Sequence, residues 1–393
     1  MRKLGSIIAV ALLVTACSSG ASTSPSGSAP AAGGNATITY LTHWPPQQVD
    51  LLKKYIAKFE TANPGIKVEV RAVPFGSLLS TLRTQAGSAS GPTIAGIYDL
   101  WLPELVKDGI AAKAPDQYTQ DIKSNWPANL VSGAASVDNA VYGYPNEIDL
   151  YMLNYNKKLF AAAGISAPPT TWDELIKDAK ALTKRDASGK IVQQGFGLIN
   201  SWDSGVVHPW LSFVLSDGGK LLDGSTPQLT SQAAEEVTSL YDQLVIKDKV
   251  TDPAMGTSNA NTTGPFLDNF TNGKTAMIVM ANWWESALKT AMKSDFDNVA
   301  TAPISVSYAW LTVVNAHATA DQQAAAWKFL QWLHGPGGGD TQGAAAMGDL
   351  LLSMGILPSR TSDVQAFQSK LSEPFLKSYV DGLSSAVPFP IVL

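Results

Sequence analysis

From residue 37 onward two hydrophobic periods take turns along the chain, and this alternation restricts it to a sheet covered by helices. Ile38 to Leu41 is a short apolar run that fits a buried strand. Leu52, Tyr55, Ile56 and Phe59 then repeat at i, i+3, i+4 and i+7, the stripe of a helix, and Asn63-Pro64-Gly65 stops it. Ile66, Val68, Val70 and Ala72 alternate with Lys67, Glu69 and Arg71, as one face of a strand does. A second helix near Ser77 to Ala86 leads through Gly91-Pro92 to the apolar run Thr93 to Tyr98. This βαβαβ order implies a parallel sheet with helices on its faces.

The pattern breaks over the turn-rich stretch Ala114 to Gly143, and Asp149 to Tyr155 reads as a further strand. Thr171 and Glu174 are spaced as a capping box, ahead of a stripe of Trp172, Leu175, Ile176, Ala179 and Leu182. Val237, Leu240, Tyr241 and Leu244 mark another helix. Thr319 and Gln322 can cap a last strong one, with Ala326, Phe329, Leu330 and Leu333 inward and Gly335 at its end. At 393 residues the chain holds two or three globular units.

Charge and cysteine content remove several functions. With 28 basic and 33 acidic side chains the net charge is −5, and no basic run offers a face for nucleic acid. The single cysteine, Cys17, allows no intrachain disulfide and no cysteine-based metal site. His43, His208, His317 and His334 are scattered without metal-binding spacing, so no metal is expected. Gly195-Phe196-Gly197 lacks the third glycine of a dinucleotide loop, and no phosphate loop or GxSxG is present, so no cofactor is expected either.

The first residues read as an address. Arg2 and Lys3 precede the apolar run Ile7 to Val14, which is the build of a secretory signal over residues 1–16. Val14-Thr15-Ala16-Cys17 resembles the bacterial lipobox, which implies lipidation of Cys17 and anchoring to the outer face of the cell membrane or in the periplasm. Residues 17–36 would then be the lipidated cysteine and an uncharged linker, with a reach of about 24 Å. An anchored, outward-facing body suits capture, secreted hydrolysis or adhesion.

Four groups of residues carry a family resemblance. The first is Val141-Tyr142-Gly143-Tyr144-Pro145, then Leu153-Asn154-Tyr155-Asn156-Lys157-Lys158-Leu159-Phe160, Ala163-Gly164-Ile165 and Pro168 to Leu175. The others are Phe270 to Met277 followed by Trp283, Ala324 to Leu330, and Gly355-Ile356-Leu357-Pro358-Ser359-Arg360. In this order the chain, from about 37 to 390, resembles the extracellular solute-binding proteins of sugar ABC importers, the maltose-binding-protein-like group. The resemblance implies an α/β fold of the periplasmic-binding-protein type II, with two lobes, each a mixed and mainly parallel sheet flanked by helices, joined by a hinge. It implies lobe 1 over 37–147 with 281–318 and lobe 2 over 148–280 with 319–393. The crossings would lie near Glu147–Leu150, Met280–Asn282 and Ala316–Ala320. It further implies a monomeric, non-enzymatic receptor whose partners are a carbohydrate and the transmembrane subunits of an ABC permease. The chain departs from relatives at Pro92-Thr93-Ile94, at Ala281-Asn282 and in the short stretch Pro303 to Trp310. It stops at Val387 to Leu393, where relatives continue into another helical segment, so a shortened lobe 2 is expected.

A sugar ring has apolar faces and a rim of hydroxyls, so its site needs flat aromatics with acceptors and donors at the edge. Trp44 follows the first strand, and Asp99 and Trp101 follow the third, at the sheet edge where open α/β folds bind ligands. By the resemblance, Asp99 is a polar site position, Asp149 (or Glu147 in its place) an acidic one, and Trp283 the stacking indole, with Trp284 its competitor. Trp202, His208 and Trp210, read as a loop before a helix ending at Asp217-Gly218-Gly219, would wall the lobe 2 side, and Trp310 the lobe 1 side. Trp172 and Trp327 fit cores, Trp332 a helix flank, and Trp126 has no assignment. Two alternatives stay open. A glycoside hydrolase would use a carboxylate pair such as Glu147 and Asp149. A receptor for a polyamine or glycerol phosphate would share the cleft, although Arg71, Arg83, Arg185 and Arg360 do not cluster with the motifs.

Overall fold

The computed structural model describes residues 35–389 except 202, 225 and 260–262. The signal, Cys17, nearly all of the linker and Trp202 therefore lie outside the described residues.

Strand β1 (Ala36–Thr42) lies between β2 (Ile66–Ala72) and β3 (Ile94–Tyr98) and is parallel to both. Helices α1 (Pro46–Ala62) and α2 (Phe75–Gln85) make the crossovers. β3 is buried throughout because helices cover both faces. α1 buries the expected stripe of Leu52, Tyr55, Ile56 and Phe59, and adds Val49. β2 is the sheet edge. Its Lys67 and Glu69 are exposed, which blunts pairing with other chains.

Two long strands carry this sheet into the second half of the molecule. β4 (Gly143–Asn156) has 14 residues and the returning β7 (Val299–Val314) has 16. At about 3.4 Å per residue each runs for roughly 50 Å, enough to cross both lobes. They pair antiparallel with each other. The Trp310–Val314 end of β7 pairs with β3, while the Tyr151–Tyr155 end of β4 pairs with β6 (Thr275–Ala281). β6 is parallel to β5 (Ile191–Gly197), whose connection includes α4 (Asp203–Ser216), and α3 (Trp172–Leu182) precedes β5. The pairing of β7 with β4 shifts register between Ala302 and Val306 and between Trp310 and Leu311, irregularities that bend a strand.

The remaining segments divide differently from the expected lobes. After β6 comes α5 (Glu285–Met292), and Leu288, Met292 and Phe296 join the core beside Phe375. Residues 281–298 thus sit with the second half, not the first. α6 (Ala320–His334) packs its Phe329 on Tyr40 and Phe59, and α7 (Ala346–Leu352) belongs to the same cluster. Residues 320–352 therefore cover the first sheet, where 319–393 was expected in lobe 2. The chain returns at β8 (Leu357–Pro358), which pairs with Glu147 and Ile148, and α8 (Pro374–Gly382) then seats Tyr379 against Asn154 and Met280. The halves are joined at β4, at β7 and at β8. Only the first of the three expected crossings falls at one of these.

Candidate functional site

The three crossings converge on a knot of carboxylates and aromatic rings. Period-two alternation in β4 turns Glu147, Asp149 and Tyr151 to one face. Across the ladder stand their partners in β7, Trp310 opposite Glu147 and Tyr308 opposite Asp149. Trp310 also faces Tyr98, the last residue of β3. The chain then turns into the short helix Asp99–Trp101. There the Asp99 carboxylate accepts from the amides of Leu100 and Ala309 at 2.8 and 2.9 Å.

Asn282, just past β6, bonds three segments together. Its side-chain oxygen accepts from the Leu150 amide at 2.8 Å, and its NH2 donates to Asp149 Oδ1 at 2.8 Å and to the Gly355 carbonyl at 3.3 Å. Trp283 donates its indole N–H to the Tyr308 oxygen at 2.7 Å, and the Tyr308 hydroxyl bonds to Asp149. Trp283 reaches the acid through one tyrosine.

Burial sets the protonation of these groups. It pushes Asp99 up to about 7 against its two amide donors, and pushes Asp149 to about 7 despite its bonds to Asn282 and Tyr308. Glu147 is raised well above the carboxylate range by burial and then by Asp149, and among the described residues its Oε2 has no hydrogen-bond partner. No cation is among the causes of these shifts. Near neutral pH Asp99 and Asp149 are therefore partly protonated and can donate as well as accept.

The rings close over the acids. Tyr98 is near parallel to Trp310 at 5.6 Å and edge-on to Tyr308 at 5.1 Å. Trp101 is edge-on to both Tyr98 and Trp310. His208, from α4 in the second half, meets the Tyr98 hydroxyl of the first half through Nε2 at 3.2 Å. Burial lowers its pKa to about 3, so it is neutral. Among the described residues its Nδ1 has no partner.

Of the sequence candidates, the structure gathers Asp99, Trp101, Glu147, Asp149, His208, Trp283 and Trp310 here. Trp44 lies elsewhere. It packs edge-on to Tyr40 in the core beneath α1 and α6, and it is its neighbour His43 that stacks on Trp310 at 4.5 Å. Trp284 is fully buried against Phe266 and Tyr151, stacked behind Trp283 at 3.7 Å. His208 and Trp210 stand in a helix, not a loop, because α4 begins at Asp203 and runs through Pro209. Trp210, two residues past His208, lies about 200° round the helix from it and is half-buried against the core. Tyr98, Tyr151, Tyr308 and His43 were not among the sequence's site candidates, and Asn282 was marked only as an expected crossing and a departure from relatives. Reading two residues along each strand from Asp149 and Trp310 finds Tyr151 and Tyr308.

Among the described residues no group of His, Cys, Asp and Glu side chains is arranged to hold a metal. No described helix is long and apolar enough to cross a membrane. Two cavities flank α4. One, of about 580 Å³, is an open depression that includes Asp217, Lys220 and Glu236, and the other, of about 160 Å³, includes Phe196, Pro209 and Tyr241. Neither reaches the carboxylates, which are filled over by the rings.

Known proteins share this build. The chain is 28% identical over 281 residues to a binding protein of Brucella abortus, covering 70% of this chain and 66% of that one, just under two thirds of its length. It is 26% identical over 242 residues to the diacetylchitobiose binding protein DasA of Streptomyces coelicolor, covering 60% of this chain and 53% of DasA. The maltose-bound structure of T. maritima MalE3 superposes with a TM-score of 0.74 at 20% identity, covering 91% of this chain and 90% of the other, which shows a common fold. The family model for bacterial extracellular solute-binding proteins matches residues 45–340. With most of its length inside that match, the chain belongs to the bacterial extracellular solute-binding protein family.

Proposed function

We propose that the protein captures a sugar or oligosaccharide between its two lobes, outside the cytoplasm, and hands it to an ABC permease while tethered by lipid on Cys17. The observation that carries this reading is the grouping of Asp99, Glu147 and Asp149 with Trp101, Trp283 and Trp310 where the chain passes between halves. Indole faces match the C–H faces of a pyranose, and buried acids that are partly protonated match its hydroxyls in either direction. The sugar-binding names of DasA and MalE3 favour the same ligand class. The lobes in this reading are 36–148 with 306–356 and 149–302 with 359–389. Contacts made by both lobes exist only in the closed form, so ligand draws the population toward it.

A thermal-shift screen over mono- and oligosaccharides tests the reading. A ligand at 100 times its Kd stabilises by about 2.7 kcal/mol, and no shift with any sugar rejects it. Trp101→Ala should weaken binding of the best ligand about tenfold or more, equivalent to about 1.4 kcal/mol of lost stacking. Recovering the sugar unchanged after incubation separates capture from hydrolysis by the Glu147 and Asp149 pair. The Glu147 Oε2, which has no hydrogen-bond partner among the described residues, gives a second reading, a solute with a protonated nitrogen whose charge would favour the ionised form of the clustered acids. Spermidine and putrescine in the same screen decide between the two.

A further inference from the structure

Val387–Pro388, which we number β9, pairs in parallel with Val306 and Ser307 of β7, and the Phe389 amide donates to the Ser307 carbonyl at 3.0 Å. This brings the Phe389 ring, 5% exposed, to 4.7 Å from the His208 ring. It lies almost parallel to Tyr308, at 14° and 6.2 Å. His208 and Tyr308 are two of the four rings packed on Tyr98, with Trp101 and Trp310, and Tyr308 is the link from Trp283 to Asp149. Phe389 is thus seated on the aromatic wall beside the acids.

The segment is held lightly. β9 is two residues long, and Val387 and Pro388 are both exposed. What it covers is poorly satisfied. Among the described residues His208 Nδ1, under the Phe389 ring, has no partner. A phenyl ring supplies no hydrogen bond to it, whereas a hydroxyl-rich ring offers the same flat apolar face with donors and acceptors round its edge. We propose that Ala386–Phe389 is an internal occupant of the ligand surface, standing where a sugar ring stacks, and that ligand entry displaces it. The inference takes the class of the displacing ligand from the reading above. The occupancy itself is tested without any ligand. Its consequence is an apparent affinity reduced by the fraction of time the segment is away: if that fraction is one tenth, the loss is about tenfold.

The test compares the full chain, Phe389→Ala and a chain ending at Ser385, each first checked for a cooperative thermal melt. Should the shortened chain fail to fold, Phe389→Ala carries the comparison. The ligand-free arm is modification of His208 by diethyl pyrocarbonate, followed by peptide mass spectrometry. The exposed His317 is the reference and the buried His334 the negative control. His208 should react several-fold faster in the variants, and an unchanged rate overturns the occupancy. The second arm is titration calorimetry with the best neutral oligosaccharide from the screen. Both variants should bind about tenfold more tightly, and equal or weaker binding overturns displacement, weaker binding making Phe389 a ligand contact. If no sugar binds any of the three chains, the sugar reading fails and the His208 rates alone decide the occupancy.

Discussion

Asn282 shows how much the site depends on single polar atoms. Its amide satisfies the buried Leu150 N–H and one oxygen of Asp149 at once. Asn282→Ala should therefore cost about 2–3 kcal/mol in urea unfolding, since each buried group left without a partner costs about 1–3 kcal/mol. Asp99 and Asp149 make stability depend on pH. Both titrate near 7 in the folded chain because of burial, and near 4 when unfolded. Between those values the folded state binds more protons, so their contribution falls as pH rises from about 4 to 7 and is flat beyond. Unfolding at pH 5 and 7.5 should show a smaller loss in Asp149→Asn than in the unaltered chain, and equal losses contradict the assignment. The sequence made Asp99, Asp149 and Trp283 visible because motifs and strand ends mark them. It could not separate His43 from Trp44, or Trp283 from Trp284. Which of two adjacent side chains faces the crossing depends on the turn after a strand, which no period records. The tyrosines were hidden by the same alternation that revealed their strands, where an aromatic passes for ordinary sheet packing.

Helices that begin with a clear cap were legible as elements. α6 starts with both halves of its capping box in place, Thr319 accepting from the Gln322 amide and Gln322 accepting from the Thr319 amide. Thr319→Ala should cost about 1 kcal/mol, seen as a lower melting temperature with sugar binding unchanged. α3 is a partial case. Thr171 caps Glu174, but the Glu174 carboxylate accepts from Thr170 in place of Thr171. The helix ending before Asp217 was expected, but α4 begins earlier, at Asp203, and so takes in His208 and Trp210, which were expected in a loop. Pro209 forgoes one helical bond, yet the helix continues because Phe213 and Val214 are buried in the core, so packing outweighs propensity. α6 was read correctly as a helix and placed on the wrong sheet. A stripe of Ala326, Phe329, Leu330 and Leu333 says which face is inward but not which neighbour receives it.

Two strands run the length of the molecule. β4 and β7 belong to both halves, so the proposed closure would use the register shift between Ala302 and Val306 and the return at β8, not a free linker. Small-angle scattering should give a smaller radius of gyration at saturating sugar than without it, and equal radii reject the closure step. The βαβαβ opening revealed the first sheet. The assignment of 320–352 to that sheet was out of reach, because it rests on contacts of Phe329 and Leu350 with residues nearly 300 positions earlier. The shared strands also govern how the protein comes apart. No peptide bond between the halves can be cut at β4 or β7 without splitting a ladder that both use, so neither half is a detachable piece. Heating should melt them together, as one calorimetric peak whose enthalpy matches its sharpness, and two resolved peaks would mean that the common strands bind the halves less firmly than their pairing requires.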